Sequence, residues 1–441
     1  MSIKRFSRAS ADDLLGMFAQ AGDSIEKGSA LDQLLEAFSG NDAGRMEFAS
    51  AIGLDRLIRK EVSLGSIRNF LLPDTHIGLA QIAPFLEVAT DEVVFDYLPV
   101  ATDGLAPARA EDAEAELSQK DEAFAGTGRA SVIDWSTKDR YAPSDVNRYR
   151  EASRILEIMQ GQGGNLPIYV TSALEDWATK LAKDEQLRKR KLDNRLELLI
   201  MTALSAGVIA YNDGKIKFTV DYGRPASQSN GNAANDFAPH VVDGVWDVST
   251  TTHDPIGFFL DIKQFFFDTY GIVLDRVLTT KAVSRKMVNS AQFSQRAGLG
   301  ARYDPAGAPQ MPNLHYLLDG WGPQAALDVI TNATGIEFVI YDSVYRTRPV
   351  GSNTVTSNRF FPNDEMVFLP SAASVSEFDD TDIGFAKTLT SPHPEGNWEP
   401  GFYEWEKSRT DPWGYDKGNG IKAFPVYPHM EYTYAVNAKL T

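Results

Sequence analysis

Met366-Val367-Phe368-Leu369-Pro370 opens the stretch of sequence that decides the fold. It reads as a buried strand with a stop, because four apolar residues run together and proline cannot extend a ladder. Residues 371–391 are polar and acidic. Aromatic residues and prolines return in Trp398-Glu399-Pro400-Gly401-Phe402-Tyr403-Glu404-Trp405, in Asp411-Pro412 and in Phe424-Pro425-Val426-Tyr427-Pro428. That order predicts a strand, a long acidic link over 371–397 and a strand-rich return over 395–440. The stretch contains no nucleophile motif, metal cluster or phosphate loop, so it reads as architecture.

Upstream of it a local grammar occurs twice. Residues 255–270 have Asp254 as N-cap, Pro255 in the first turn and Gly271 as the stop, with Phe258, Phe259, Ile262, Phe265 and Phe266 on the apolar face. A strand is expected over 272–278. Residues 323–334 open with Pro323, stop at Gly335 and lead into a strand over 336–345. Between the two, 280–290 reads as a short helix. Alternating helix and strand over 255–370 predicts an α/β unit with helices on a central sheet.

The longest helix lies earlier. Ser172 and Glu175 form a capping box, and no Gly or Pro interrupts the chain until Gly207. This predicts a helix over 173–206, ~34 residues and ~50 Å at 1.5 Å per residue. Leu174, Trp177, Ala178 and Leu181 begin its apolar stripe, and Leu192, Leu196, Leu199 and Ile200 end it. Its middle, Arg188-Lys189-Arg190-Lys191, is basic and reads as an exposed strut. Two strands follow, over 208–211 and 215–220, joined by the hairpin signal Asn212-Asp213-Gly214. Residues 224–245 read as a Ser/Asn/Gly/Ala loop.

Before the helix, Val93, Phe95 and Tyr97 set a period of two, and a second strand is expected over 130–136 through Val132, Ile133 and Trp135. The acidic residues 101–127 between them make a long hairpin with a partly helical tip. Residues 1–60 carry short amphipathic helical pieces, cut by Gly22, Gly28, Gly40 and Gly44. Pieces this short cannot stand alone in water and must lie on something.

Composition narrows the function classes. The 441 residues include 43% hydrophobic and 11% aromatic residues, enough for a sizeable core and two or three domains. Cysteine is absent, which removes disulfides, zinc thiolates and thiol catalysis. The net charge of -17 repels nucleic acid taken as a whole, so a DNA-coating protein is disfavoured. The first residues lack the apolar core of a signal peptide, and no apolar run approaches a membrane span. The protein is expected to be cytosolic when made.

No residue set stands out as catalytic, cofactor-binding or metal-binding. The six histidines include no i, i+4 pair, and there is no H-E-x-x-H, G-x-S-x-G or P-loop. Gly298-Leu299-Gly300 has no preceding strand and reads as loop punctuation. Glu377, Asp379, Asp380 and Asp382 offer hard oxygens for calcium but lack the pattern of an EF-hand, so a solvated loop is the plain reading. Glu399, Glu404 and Glu406 beside Trp398, Trp405 and Trp413 leave a carbohydrate-binding or glycoside-cleaving protein as an alternative, against simple packing of a terminal sheet.

Four blocks, in order, resemble the lambda-type major capsid protein family, the capsid protein E family of tailed phages. They are Ile82-Ala83-Pro84; Asp221-Tyr222-Gly223-Arg224-Pro225 with Trp246, Asp254-Pro255 and Asp261-Ile262; Phe368-Leu369-Pro370; and Pro400-Gly401-Phe402-Tyr403 with Asp411-Pro412 and Pro425-Val426. The resemblance implies an α+β subunit of the Hong Kong 97-type. Its parts would be an N-terminal arm over 1–84 and an extended β-hairpin loop over 85–140. A peripheral domain over 141–254 and 395–441 would contain the long spine helix 173–206, and an axial domain would cover 255–394. It implies a non-enzymatic coat protein that self-assembles into pentamers and hexamers of an icosahedral phage head enclosing double-stranded DNA. The hairpin would lie over a neighbouring subunit and shift during maturation. The basic helix segment 188–191 would then have packaged phosphates as an alternative neighbour. Implied partners are further copies of itself, a portal, scaffolding or decoration proteins and the DNA, bound non-specifically. The place would be the virion, after assembly in the host cytoplasm. An encapsulin-like or gene-transfer-agent shell is the alternative within the same fold. No cofactor is implied, and no motif singles out a Lys–Asn pair for a covalent crosslink.

Overall fold

The structure, a computed structural model, describes residues 67–68, 72–97, 126–144, 146–147, 151, 154–155, 168–214, 216–229, 255–288, 302–303, 309–310, 327–328, 330–348, 353–378, 384–410 and 413–437. The expected N-terminal helical pieces, the tip of the long hairpin, the Gly298-Leu299-Gly300 turn and Asp379, Asp380 and Asp382 lie outside the described residues.

In chain order the strands are β1 (Phe85–Glu87), β2 (Glu92–Tyr97), β3 (Gly126–Ser131), β4 (Asp134–Tyr141), β5 (Val208–Asn212), β6 (Lys217–Asp221), β7 (Leu274–Thr279), β8 (Arg302–Tyr303), β9 (Pro309–Gln310), β10 (Glu337–Ile340), β11 (Val344–Thr347), β12 (Thr356–Arg359), β13 (Glu365–Pro370), β14 (Lys387–Thr390), β15 (Phe402–Thr410), β16 (Trp413–Val426) and β17 (Tyr434–Asn437). The helices with both bounds among the described residues are α1 (Ile168–Ala206), α2 (Pro255–Tyr270), α3 (Lys281–Val288) and α4 (Ala372–Phe378), and residues 327–328 and 330–334 of the helix expected over 323–334 are also helical. The architecture is α+β. Two compact units divide the chain, one from Met1–Leu71, Ile133–Leu192 and Ser391–Lys422, the other from Leu72–Val132, Asp193–Thr390 and Ala423–Thr441.

In the first unit β4, β16 and β15 form an antiparallel sheet, with Tyr415 opposite Tyr141 and Phe402 opposite Ile421. One face is closed by its own rings. Tyr403 lies over Gly420 and Trp405 over Gly418, the residues they face across the ladder, and a Cβ at either glycine would sit 2.3 or 2.4 Å from the ring. Glycine is required there by close approach, because even a methyl group has no room. The other face meets residues 177–192 of α1, where Trp177, Leu181 and Leu192 are buried.

In the second unit a mixed sheet runs in the order β10-β7-β13-β17. β10 is parallel to β7, whereas β7–β13 and β13–β17 are antiparallel. Every residue of β13 is buried, which accounts for the unbroken apolar run Met366–Leu369. Helix α2 packs Phe258, Phe259, Ile262 and Phe266 against Val277, Phe338, Phe368 and Tyr434. Those positions fall on one helical face, and each buried Phe contributes roughly 1.5–3 kcal/mol over an exposed one. Gly271 ends α2 at φ 70, a left-handed position open to glycine without cost. A smaller sheet joins β1, β14 and residues 423–426 of β16, and β5 pairs with β6 as a hairpin.

Four expectations change. α1 has 39 residues and begins at Ile168, so Ser172 lies inside it and is not its cap. Extending an existing helix costs little compared with starting one, so the β-branched run before Ser172 joins it. The strand expected over 130–136 is two strands broken at Val132-Ile133: β3 pairs with β2, and β4 pairs with β16. The strand expected over 336–345 breaks at Tyr341, whose side chain turns inward. The acidic link 371–397 contains α4 and β14; the alternation Thr388, Leu389, Thr390 is a strand signal hidden inside a polar stretch. The hairpin pairing of β2 with β3, α2 at 255–270 and the 212–214 hairpin stand as expected.

Candidate functional site: buried polar seams

The first seam lies in the first unit, between α1 and the sheet β4-β16-β15. Strand register puts Lys417 between Asp139 and Glu406, and Asn419 opposite Glu404, all on the face turned to the helix. From α1 come Glu185, Arg188 and Lys189, all buried. Arg188 donates from Nε to Asn419 Oδ1 at 2.5 Å, and from Nη1 to Asp139 Oδ2 at 2.8 Å and the Tyr141 hydroxyl at 3.2 Å. Burial works against its charge, but Tyr141 and Asp139 hold the guanidinium above its ordinary range. Burial pushes the Tyr141 phenol up, and its hydroxyl donates to Asp184 at 3.0 Å. Lys189 places its ammonium 4.7 Å from the centre of the Phe402 ring. Lys417 Nζ stands 3.5 Å from Glu404 Oε2, both side chains being covered. Burial pushes the Glu404 carboxyl up to about 8, with Lys417 pulling it down and the neighbouring carboxylates of Glu185 and Glu406 adding to the rise.

The exposed basic strut expected over 188–191 is therefore corrected. Arg190 and Lys191 are exposed, but Arg188 and Lys189 face the sheet. The signal was present in the spacing. Leu181, Glu185, Arg188, Leu192, Leu196 and Leu199 fall on one helical face, so the charged residues occupy stripe positions.

A second seam lies in the other unit. Residues Gly78–Ile82 form a wide helical turn closed by Ala83 N–H donating to Gly78 O at 2.8 Å. Its first two amides, Gly78 and Leu79, donate to Oε1 and Oε2 of Glu197, each at 2.9 Å. The Tyr341 hydroxyl adds a third bond to Oε1 at 2.8 Å. Burial raises the Glu197 carboxyl, and these donors with nearby His76 pull the other way. His76 bonds Asn194 Oδ1 at 2.8 Å and meets Phe360 edge-on. Gly78 is required by proximity, since a Cβ would lie 2.7 Å from Glu197 Oε2 and 2.9 Å from Ile200 Cγ2.

The motif Asp221-Tyr222-Gly223-Arg224-Pro225 explains itself in this unit. Asp221 Oδ1 accepts from Gly223 N–H at 2.9 Å, and Gly223 turns at φ 75. Tyr222 donates to Pro425 O at 2.7 Å, so two of the sequence blocks meet. Arg224 caps α1, donating to Leu204 O at 2.5 Å and Ser205 O at 3.0 Å, and it also reaches Thr433 Oγ1 at 2.9 Å. Burial brings its pKa down to about 10. Ser205 in turn bonds Glu365 at the start of β13.

The carboxylates and tryptophans weighed as a sugar site do not form one. Glu404 is 2% exposed. Glu399 pairs with Arg68, which also bonds Phe402 O and Gly396 O. Trp405 packs on Gly418, whereas Trp398 stands 71% exposed at φ 60. Among the described residues no group of His, Asp or Glu is placed to hold a metal ion, and no helix is long and apolar enough to cross a membrane.

Residues 137–378, more than half of the chain, match the family model described as phage major capsid protein E. The chain belongs to that family. It is a capsid shell protein, a structural component of a phage virion. No curated protein matches the chain. Among solved structures it is similar to a protein assigned as a prophage capsid protein from Escherichia coli CFT073, at 12% identity, TM-score 0.45, covering 85% of this chain and 96% of that one. A phage-related protein from Bordetella bronchiseptica RB50 is similar at 14% identity, TM-score 0.41, covering 86% and 97%. The mature capsid of bacteriophage PhiM1 is similar at 9% identity, TM-score 0.36, covering 84% and 88%. In this family member, the Asp221–Pro225 block and the Phe368-Leu369-Pro370 block lie inside the matched segment.

Proposed function

We propose that this phage capsid protein tiles an icosahedral head as pentamers and hexamers around double-stranded DNA, without enzymatic activity of its own. The observation that carries the reading is the family match over 137–378. The order of elements supports it: a two-stranded ribbon, a 39-residue helix, a mixed sheet with helix α2 packed on it, then closing strands. On this reading the subunit is of the Hong Kong 97-type, with arm 1–84, loop 85–140, peripheral domain 141–254 and 395–441, and axial domain 255–394. Its partners are other copies, a portal, scaffolding or decoration proteins and DNA held non-specifically, and assembly takes place in the host cytoplasm. With no cysteine, the shell would rest on many non-covalent contacts, and heterologous contacts that close make rings.

Electron microscopy of the purified full chain tests it. Closed shells, tubes or ring-shaped capsomers are expected. A species that stays a monomer or small oligomer under all assembly conditions, alone and with a co-expressed scaffold, overturns the reading. Deleting 101–127 tests the loop: assembly and shell stability are expected to fall, and an unchanged shell removes that role.

A further inference from the structure

Between Asp342 and Asp364 the chain carries Arg346, Arg348 and Arg359 and no carboxylate, although acidic residues outnumber basic ones 60 to 43 over the whole sequence. This stretch folds as the antiparallel ribbon β11-β12, with Val344 opposite Arg359 and Arg346 opposite Ser357. Residues opposite one another, and residues two apart along a strand, share a face. One face of the ribbon therefore presents Val344, Arg346, Ser357 and Arg359, and all four are exposed. Arg348 and Val355 flank the last rung, Thr347–Thr356, and are exposed as well. The two valines stand 47% and 48% open.

The ribbon is held from its other face and from its base. Tyr345 packs on the buried Phe360 with ring centres 4.9 Å apart, and Asn358 donates to Thr347 Oγ1 at 3.1 Å. At the base Ser343 donates to Thr75 O at 3.1 Å. Arg359 is matched by Asp342, with Nη1 to Oδ1 at 2.7 Å. Arg346 and Arg348 have no acid on the ribbon to match them. A two-stranded ribbon buries little by itself, and this one turns apolar and cationic side chains outward together.

We infer that this face is a contact between copies of this chain, on which Val344, Arg346, Arg348 and Val355 of one subunit seat against an acidic surface of the next. The inference rests on the reading that copies tile a shell, and it names one surface through which they meet. Charge selects the occupant. With a net charge of -17 a second copy offers an excess of acid, and a basic face is a place where two such chains attract. The guanidinium fork also pairs with carboxylates in two parallel hydrogen bonds. The valines select against nucleic acid, because they gain from burial against protein and gain nothing against a hydrated phosphate backbone. A basic patch meeting an acidic one uses two different surfaces, so the contact is head-to-tail, the type that closes into rings.

The test uses the full chain, wild type and the double variant Arg346→Glu with Arg348→Glu. Assembly is followed by light scattering and electron microscopy over a range of protein and NaCl concentrations, beside thermal melts of the unassembled subunits. The reversal is expected to raise the protein concentration for half-assembly by roughly tenfold or more at low salt, because like charges then face each other. The gap should narrow as salt rises, and the melts should coincide because both side chains are exposed. Should the reversal melt lower, Arg346→Gln with Arg348→Gln carries the same expectation with a rise of roughly threefold. Wild type and variant assembling at the same concentrations with the same salt dependence overturn the inference. So do variant shells that form normally but hold less nuclease-resistant DNA, which would make this a nucleic-acid face. A wild type that never assembles is a different result: it sinks the tiling reading, and this contact with it.

Discussion

Replacing Glu197 by alanine should detach the 78–82 turn from α1. The carboxylate accepts the Gly78 and Leu79 amides at 2.9 Å each and the Tyr341 hydroxyl at 2.8 Å. Gly78, Leu79 and Tyr341 are all buried, so water cannot replace the lost acceptor. Each orphaned buried donor costs ~1–3 kcal/mol. Relief from holding a buried charge offsets part of that sum, and breaking buried charged networks from one side costs ~3–5 kcal/mol. That range corresponds to a change of roughly 100-fold to several thousand-fold in the local opening constant. Glu197→Gln keeps one oxygen and the packing, and should lose only ~1–2 kcal/mol. Amide exchange at Gly78 and Leu79 reads this directly, without requiring the whole chain to unfold in one step. Exchange at these two amides should rise by at least 100-fold in Glu197→Ala and far less in Glu197→Gln. If protection there is unchanged while amides elsewhere weaken, Glu197 is not the anchor and the reasoning fails.

Gly420→Ala and Gly418→Ala push a methyl group into Tyr403 and Trp405, and thermal melts should show each losing ~1–3 kcal/mol. Gly78→Ala meets Glu197 and Ile200 instead, and should raise exchange at Leu79 even though the carboxylate is intact. Arg224→Ala leaves two helix carbonyls and the Thr433 hydroxyl without their donor; ~2–4 kcal/mol is expected from urea midpoints, with Arg224→Lys recovering only a fraction because one ammonium cannot reach all three. At the acid end, burial would raise Asp416, but hydrogen bonds from Arg140 and Lys138 outweigh it and hold the carboxyl below 3.8. Its contribution is present above that pH and lost as pH falls through the lowered value, so Asp416→Asn should flatten the acid limb of a pH–stability curve.

Elements bounded by their own residues were legible in the sequence. Pro255 and Gly271 bracket α2, and its phenylalanines at helical spacing meet the sheet as their period implies. The unbroken apolar run at Met366–Leu369 is a fully buried strand. What sequence concealed depends on partners far along the chain. Arg188 is buried because Asp139, Tyr141 and Asn419 are brought to it, and no local window contains those three. Glu404 looked like a surface acid beside tryptophans because the strand partner that covers it, β16, could not be registered in advance. Ser172 imitated a cap because a capping box states only where a helix can start, and packing carried α1 further. The block around Arg224 was recognisable as a pattern, but its physical purpose, closing the end of α1, appears only in three dimensions.

The reach of Arg224 to Thr433, and of β13 to β17, sets an order of events during synthesis. Residues 204, 224 and 365 leave the ribosome long before residues 433–437. Until those later residues emerge, the sheet lacks its outer strand and the cap on α1 lacks its hydroxyl partner. A polypeptide that stops before residue 433 should consequently stay without a finished second unit.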